Sequence, residues 1–194
     1  MEQQEILNLL QQVADGSVTP QQAQLQLKMA PFEDLGFAKL DHHRALRQGV
    51  AEVIYGAGKT PEQIRAIAAA MLARGQRTVL IPRMSAGAAE AMEGLPFRYD
   101  PLSRVGIAGT LPEPDGHGTI LIATGGTSDQ PVAEEAALTA EALGNRVVRL
   151  YDVGVAGLHR LLAHLDEIMS AQVIVAIAGM EGALASVIGE EELS

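Results

Sequence analysis

Residues 119–131 read Thr119-Ile120-Leu121-Ile122-Ala123-Thr124-Gly125-Gly126-Thr127-Ser128-Asp129-Gln130-Pro131. An apolar run of strand length stops at paired glycines, and hydroxyl, carboxylate and proline residues then open a helix. Proline suits a first helical turn because the N–H it lacks has no helical partner there. We therefore expect a strand over Thr119–Ala123, a loop over Thr124–Asp129 and a helix over Pro131–Leu143 closed by Gly144-Asn145. Val132, Ala136, Ala140 and Leu143 fall on one helical stripe, which we expect to face the sheet.

The same rhythm runs downstream. Arg146–Tyr151 reads as a strand, Asp152–Gly157 as a glycine-rich loop, and Leu158, Leu161, Leu162, Leu165 and Ile168 as one face of a helix that leads to the apolar strand Val173–Ala178. A strand apolar on both faces belongs inside a parallel sheet. Sixteen residues follow it, read as weakly structured, so the sheet is expected to lack its last strands and to expose an edge that promotes association.

Upstream, Val50–Tyr55 reads as a strand, and Thr60-Pro61-Glu62-Gln63 combines an N-cap, an early proline and a third-position Gln to launch a helix to about Ala73. Thr78–Ile81 is the next strand and Ala86–Met92 a short helix, an alternation that argues for parallel βαβ units with right-handed crossovers. Seven Pro and Gly residues between Tyr99 and Gly118 mark that stretch as a linker. At the N-terminus, Ile6, Leu9, Leu10 and Val13 recur at helical spacing, and Thr19-Pro20-Gln21-Gln22 starts a second helix. The middle of Asp34–Gln48 is expected to be helical. The resulting fold class is α/β: a helical pair over 1–30, a small α/β region with linker over 31–115, and a flavodoxin-like parallel-sheet domain over 116–194.

Composition narrows the function. With 14 Lys plus Arg against 24 Asp plus Glu, the net charge of −10 opposes binding to nucleic acid, whose affinity rests on neutralising phosphates. Cysteine is absent, which removes disulfides, thiolate metal sites and thiol nucleophiles. Aromatics make up 3% of residues, so small aliphatic side chains must fill the core, as suits closely packed helix-on-sheet layers. The first residues lack the basic and apolar regions of a signal peptide, and the run Val173–Ala178 is too short to span a bilayer; a soluble cytoplasmic protein without membrane contact is expected.

Charge is uneven, with 9 basic and 10 acidic residues in 1–97 but 5 basic and 14 acidic in 98–194. No Lys follows Lys59, so an anion held by the second half relies on backbone N–H groups, hydroxyls and a few Arg. Gly125-Gly126-Thr127-Ser128-Asp129 offers these at a helix start, the usual place for a phosphate, though Ser128 or Asp129 acting as a plain helix cap explains the same residues. The loop is neither a Walker A motif nor GxGxxG. Asp152 leaves the carboxyl end of the next strand, where open parallel sheets place ligands, and serves there as a base or as a partner of a ribose hydroxyl, against a helix-capping or turn residue. Glu181, in Gly179-Met180-Glu181-Gly182-Ala183, leaves the following strand on the same edge and pairs with Asp152 as an acid/base candidate, against a solvated loop Glu.

Three other clusters carry weaker chemistry. His42 and His43 in Asp41-His42-His43-Arg44 diverge by about 100° on a helix, which favours a polar interface over a metal site. Arg160, beside His159, either reaches a phosphate or lies on a solvated face, and Lys59 in Gly56-Ala57-Gly58-Lys59-Thr60 resembles half of a phosphate loop.

The stretches GGTSDQPVAEEAALTAEALG (residues 125–144), RLYDVGVAGLHRLL (149–162) and AIAGMEGALASVIG (176–189), with LDHHRALRQGVAEVIYGAGKTPEQI (40–64) upstream, resemble the LarB family, the carboxylase/hydrolase of nickel-pincer-nucleotide biosynthesis. The second α/β unit is similar to the PurE family of aminoimidazole ribonucleotide carboxylases, whose phosphate loop has Gly, Ser and Asp where Gly125, Ser128 and Asp129 stand. The resemblance implies carboxylation of the pyridinium ring of nicotinic acid adenine dinucleotide by carbon dioxide as co-substrate, and hydrolysis of the phosphoanhydride to release AMP. Gly125, Gly126, Thr127, Ser128 and Asp129 would then cradle the nucleotide, Asp152 and Glu181 would act as acid and base, and Gly182 and Ala183 would admit carbon dioxide. No tightly bound cofactor and no metal ligand are expected, and a homo-oligomer is.

Asp152 stands where the purine enzymes carry their catalytic His loop, which favours the LarB reading over an aminoimidazole ribonucleotide carboxylase-like lyase. LarB members also continue past this motif into further strands and a Cys that adds to the pyridinium ring. This chain has no Cys, so crippled carboxylation by a truncated chain, or an inert nucleotide-binding or assembly subunit, is the third expectation.

Overall fold

A computed structural model describes residues 3–28, 33–40, 52–180 and 182–191. The chain divides into two compact units, Met1–Glu52 and Val53–Ser194, with residue 115 inside the second. Among the described residues no helix is long and apolar enough to cross a membrane.

In the first unit, helices α1 (Gln3–Ala14) and α2 (Pro20–Lys28) follow one another, and Leu9 and Ala23 are buried. Helix α2 starts where its cap signal stands: Gln22 N–H donates to Thr19 Oγ1 at 3.2 Å and Thr19 N–H donates to Gln22 Oε1 at 2.9 Å. This reciprocal pair satisfies two amides that a helix start would leave open. Strands β1 (Glu33–Asp34) and β2 (Lys39–Leu40) then form an antiparallel hairpin. That hairpin occupies the start of the Asp34–Gln48 stretch whose middle is expected to be helical, and the stretch from residue 41 on, with the Asp41-His42-His43-Arg44 cluster, lies outside the described residues.

The second unit opens without a strand over 52–55, although Ile54 and Gly56 N–H donate to Leu80 and Pro82 carbonyls, both at 2.9 Å. Helix α3 (Pro61–Ala73) is capped as its sequence demands, with Gln63 N–H on Thr60 Oγ1 at 3.3 Å and Thr60 N–H on Gln63 Oε1 at 3.0 Å. It buries Ile64, Ile67, Ala68 and Met71. Strand β3 (Thr78–Ile81), helix α4 (Ala86–Glu90), strand β4 (Phe97–Asp100) and strand β5 (Val105–Gly109) follow, and the sheet order is β3-β5-β4 with both pairings antiparallel.

Two expectations are corrected here. Strands β3 and β4 do point the same way across α4, but β5 inserts between them, so the upstream sheet is antiparallel rather than a run of parallel βαβ units. The expected linker over Tyr99–Gly118 contains the end of β4 and the whole of β5, the buried centre of that sheet. Gly106 is a packing residue: a Cβ there would lie 2.6 Å from Met84 Sδ and 2.8 Å from the Phe97 ring. Glycine inside a strand can mark a site of close approach rather than a break.

Strand β6 (Thr119–Thr124), helix α5 (Gln130–Ala142), strand β7 (Arg146–Leu150), helices α6 (Leu158–Leu162) and α7 (Leu165–Ser170), strand β8 (Val173–Ile177) and helix α8 (Ala183–Glu191) build the second sheet and its cover. The order is β7-β6-β8, all parallel, as the alternation predicts, and the whole is an α/β fold. Side chains of β6 alternate: Leu121 and Ala123 join Leu150, Leu161, Ile168, Leu184 and Ile188 on one face, and Ile122 meets Ala133 and Ala137 of α5 on the other. Strand β6 is therefore the strand covered on both faces. Strand β8, expected inside, pairs only with β6 among the described residues, and Val173 is 51% exposed.

Helix α5 is turned one residue from the expected stripe. It buries Ala133, Ala137 and Leu138, while Val132 and Leu143 are 52% and 47% exposed. Leu138 packs with Leu80, Val105 and Ile107, so α5 serves both sheets. Small Ala133 and Ala137 let the helix approach β6 closely, and the larger Val132 and Leu143 are displaced to its flank.

Candidate functional site

The carboxyl ends of the three parallel strands converge on a cavity of about 270 Å³. Its lining comes from Gly125, Gly126, Ser128 and Asp129 after β6, Gly154, Val155 and Ala156 after β7, Ala178, Gly179 and Met180 after β8, and Ala183 and Leu184 of α8. Open parallel sheets bind ligands at this edge.

After β6 the chain makes a single 3₁₀ turn over Thr127–Asp129 before α5. Gly126 N–H donates to Asp129 Oδ2 at 2.9 Å and Asp129 N–H to Gly126 O at 3.2 Å, so the Asp129 carboxylate closes the turn rather than capping α5. The amides at the head of the turn, those of Thr127 and Ser128, are the N–H groups for which helical geometry supplies no partner. Ser128 lines the cavity and Thr127 is exposed beside it. No Lys or Arg is among the lining residues, so backbone dipoles and the Ser128 hydroxyl are what the cavity offers an anion.

The wall after β7 is held by close backbone approach. A Cβ on Gly154 would sit 2.5 Å from Gly125 O, so glycine is needed for the two loops to touch. Asp152, two residues before, has φ +60°. Its amide donates to Thr124 Oγ1 at 3.0 Å, and its carboxylate accepts from Arg160 Nη1 at 2.7 Å. Across the cavity Met180 has φ +57° and is fully exposed. Left-handed backbone at non-glycine residues costs about 1–2 kcal/mol each and concentrates where a loop's course is functionally constrained.

A charged network braces the same region from the α5 side. Glu134 accepts from Tyr151 Oη at 2.8 Å and from Arg149 Nε at 3.1 Å, and Arg149 Nη1 donates to Glu141 at 2.6 Å. Burial and the Glu134 hydrogen bond push the Tyr151 phenol well above its ordinary value. Burial pulls Arg149 down, but the Glu141 and Glu134 carboxylates outweigh it and push it up. Tyr151 directly precedes Asp152 and Glu134 lies in the second turn of α5, so the network ties the end of β7 to the helix that follows the Gly125–Asp129 turn.

Of the residues singled out from sequence, Gly125, Gly126, Ser128, Asp129 and Ala183 line one cavity. Thr127 and Gly182 adjoin it, Asp152 is held on Arg160 just outside the lining, and Glu181 lies outside the described residues. Lys59 is not at this cavity; its Nζ donates to the Tyr55 carbonyl at 2.8 Å. Gly154, Val155 and Ala156 belong to the glycine-rich loop that the sequence places at this edge, although sequence reasoning gives none of them a role there, and it missed Thr124. The signal for Thr124 was a hydroxyl at the end of an otherwise apolar strand.

Comparison with known proteins agrees with this architecture. Residues 32–109 match the LarB/PurE-like N-terminal domain family, which covers the antiparallel sheet. The chain is 34% identical over 200 residues to an uncharacterized protein of Methanocaldococcus jannaschii, an alignment that covers 93% of this chain and 75% of that protein. With one alignment running through nearly the whole chain and the upstream domain matched by a family of its own, the chain belongs to the LarB family.

Proposed function

We propose that the cavity at the ends of β6, β7 and β8 binds nicotinic acid adenine dinucleotide, the substrate whose pyridinium ring LarB-type enzymes carboxylate with carbon dioxide while releasing AMP. The family is of carboxylase type. The observation that carries the reading is the Gly125–Asp129 turn, which brings a hydroxyl, and amides for which the turn itself supplies no partner, to the approach of α5 within a cavity whose other lining residues are glycine, alanine, valine, Met180 and Leu184. A phosphate is held there by N–H groups, and the glycine and alanine positions of the lining leave room for a flat ring and for carbon dioxide beside Gly182 and Ala183.

Asp152 and Glu181 are the proposed acid and base. Asp152 reaches the ligand by exchanging its Arg160 partner, which is a surface contact and inexpensive to break. Because the chain has no cysteine, ring activation by a thiol is not available from its own residues, and binding is the activity expected of it. A homo-oligomer located in the cytoplasm is part of the same proposal.

Calorimetric titration of the full chain with nicotinic acid adenine dinucleotide and with nicotinic acid mononucleotide tests it. Saturable binding of both, competed by inorganic phosphate, is expected. Absence of heat with either nucleotide, or binding of aminoimidazole ribonucleotide alone, overturns the assignment.

A further inference from the structure

We infer that Thr124 is a positioning residue, whose buried hydroxyl holds Asp152 in its left-handed conformation and so sets the wall of the cavity formed by Gly154, Val155 and Ala156. The ladder between β6 and β7 ends at the pair Ala123 and Leu150. Beyond that pair the register ends, and two residues past Leu150 the backbone of Asp152 turns to φ +60°. At that point the side chain of Thr124 takes over from the ladder: its Oγ1 accepts the Asp152 amide at 3.0 Å, and its carbonyl accepts the Val153 amide at 3.0 Å. Thr124 also pairs with Ile177 of β8, so a single residue joins the loops at the carboxyl ends of all three strands.

Thr124 is 0% exposed and, with Ser103, one of the buried polar residues of the described chain. A fully buried hydroxyl is unfavourable unless it is hydrogen-bonded, and valine would fill the same volume without that requirement. The hydroxyl therefore has a use that a methyl group lacks. Its acceptor helps offset the cost of left-handed backbone at Asp152, a conformation that Asp adopts more readily than most residues but not as freely as glycine does. Were Asp152 to relax, Gly154 would lift from Gly125 O, the contact that closes the cavity on this side.

This rests on reading the cavity as the nucleotide site, and the test separates the two claims. In the unliganded full chain, residue-resolved amide hydrogen exchange is compared for the native protein, Thr124→Val and Thr124→Ser. The Asp152 and Val153 amides should exchange about tenfold faster in Thr124→Val, the loss of roughly one hydrogen bond, and at the native rate in Thr124→Ser. Amides of α3 and β3 should be unchanged in both. With nicotinic acid mononucleotide as probe, Thr124→Val should bind about fivefold to tenfold more weakly and Thr124→Ser as the native chain does. Thr124→Ala serves the same comparison if the valine variant does not fold. Native exchange at Asp152 in Thr124→Val, or loss of protection in Thr124→Ser equal to that in Thr124→Val, overturns the inference. If the native chain binds no mononucleotide, the functional reading fails and the exchange data alone decide the role of Thr124.

Discussion

The Arg160 guanidinium lies 2.7 Å from the Asp152 carboxylate and holds it on the rim, outside the lining of the cavity it is proposed to serve. The two side chains are 40% and 53% exposed, so water and salt screen their attraction.

Arg160→Ala should therefore lower stability by less than about 1 kcal/mol, the range of exposed ion pairs. Thermal melts at low and high salt should bring the variant and the native chain together as salt rises. A loss of several kcal/mol, insensitive to salt, would mean that Arg160 holds the loop by packing rather than by charge.

Ser128→Ala removes the hydroxyl that the turn presents to the cavity. Binding of the dinucleotide or of nicotinic acid mononucleotide should weaken by roughly 1–2 kcal/mol, as for one charge-assisted hydrogen bond. Unchanged affinity by calorimetry would move the phosphate elsewhere.

Gly154→Ala places a Cβ 2.5 Å from Gly125 O, which forces one of two backbone loops to move. We expect a cost of about 1–3 kcal/mol and loss of nucleotide binding, since both loops line the cavity. Native melting together with native affinity would show that the loops are not held in this approach.

The Tyr151 phenol titrates above its ordinary value because it is partly buried and bonded to Glu134. Above about pH 10 the unfolded chain loses this proton while the folded chain keeps it. Its contribution to stability is full below that pH and declines as pH rises further. Tyr151→Phe should therefore flatten the fall of melting temperature on the alkaline side relative to the native chain, as followed by circular dichroism. Parallel alkaline profiles for the two proteins would refute this.

The 194-residue chain should fail to carboxylate nicotinic acid adenine dinucleotide and is expected only to bind it, because no Cys is present and Ser or Thr is scarcely ionised near neutral pH. Incubation with labelled bicarbonate and mass spectrometry of the nucleotide checks this. A dicarboxylated pyridinium mononucleotide appearing with AMP would show the thiol to be dispensable.

What was legible in the sequence was local. The caps of α2 and α3 are written in Thr19 with Gln22 and in Thr60 with Gln63, because a capping box closes within three residues. The strand, glycine turn and helix around Gly125 and Gly126 are equally local, and they carried both the parallel sheet and the position of the cavity lining. Tertiary structure decided what depends on partners far along the chain. Val105–Gly109 is a central strand because Gly106 fits against Met84 and Phe97, contacts that a count of glycines cannot foresee. Helix α5 presents Ala133 and Ala137 instead of Val132 because it must meet two sheets at once, and periodicity specifies a stripe but not its rotation by one residue. The direction of Asp152 was settled last, by Thr124 from 28 residues away and Arg160 from the following helix, since a left-handed residue takes its course from whatever accepts its amide and pairs its carboxylate.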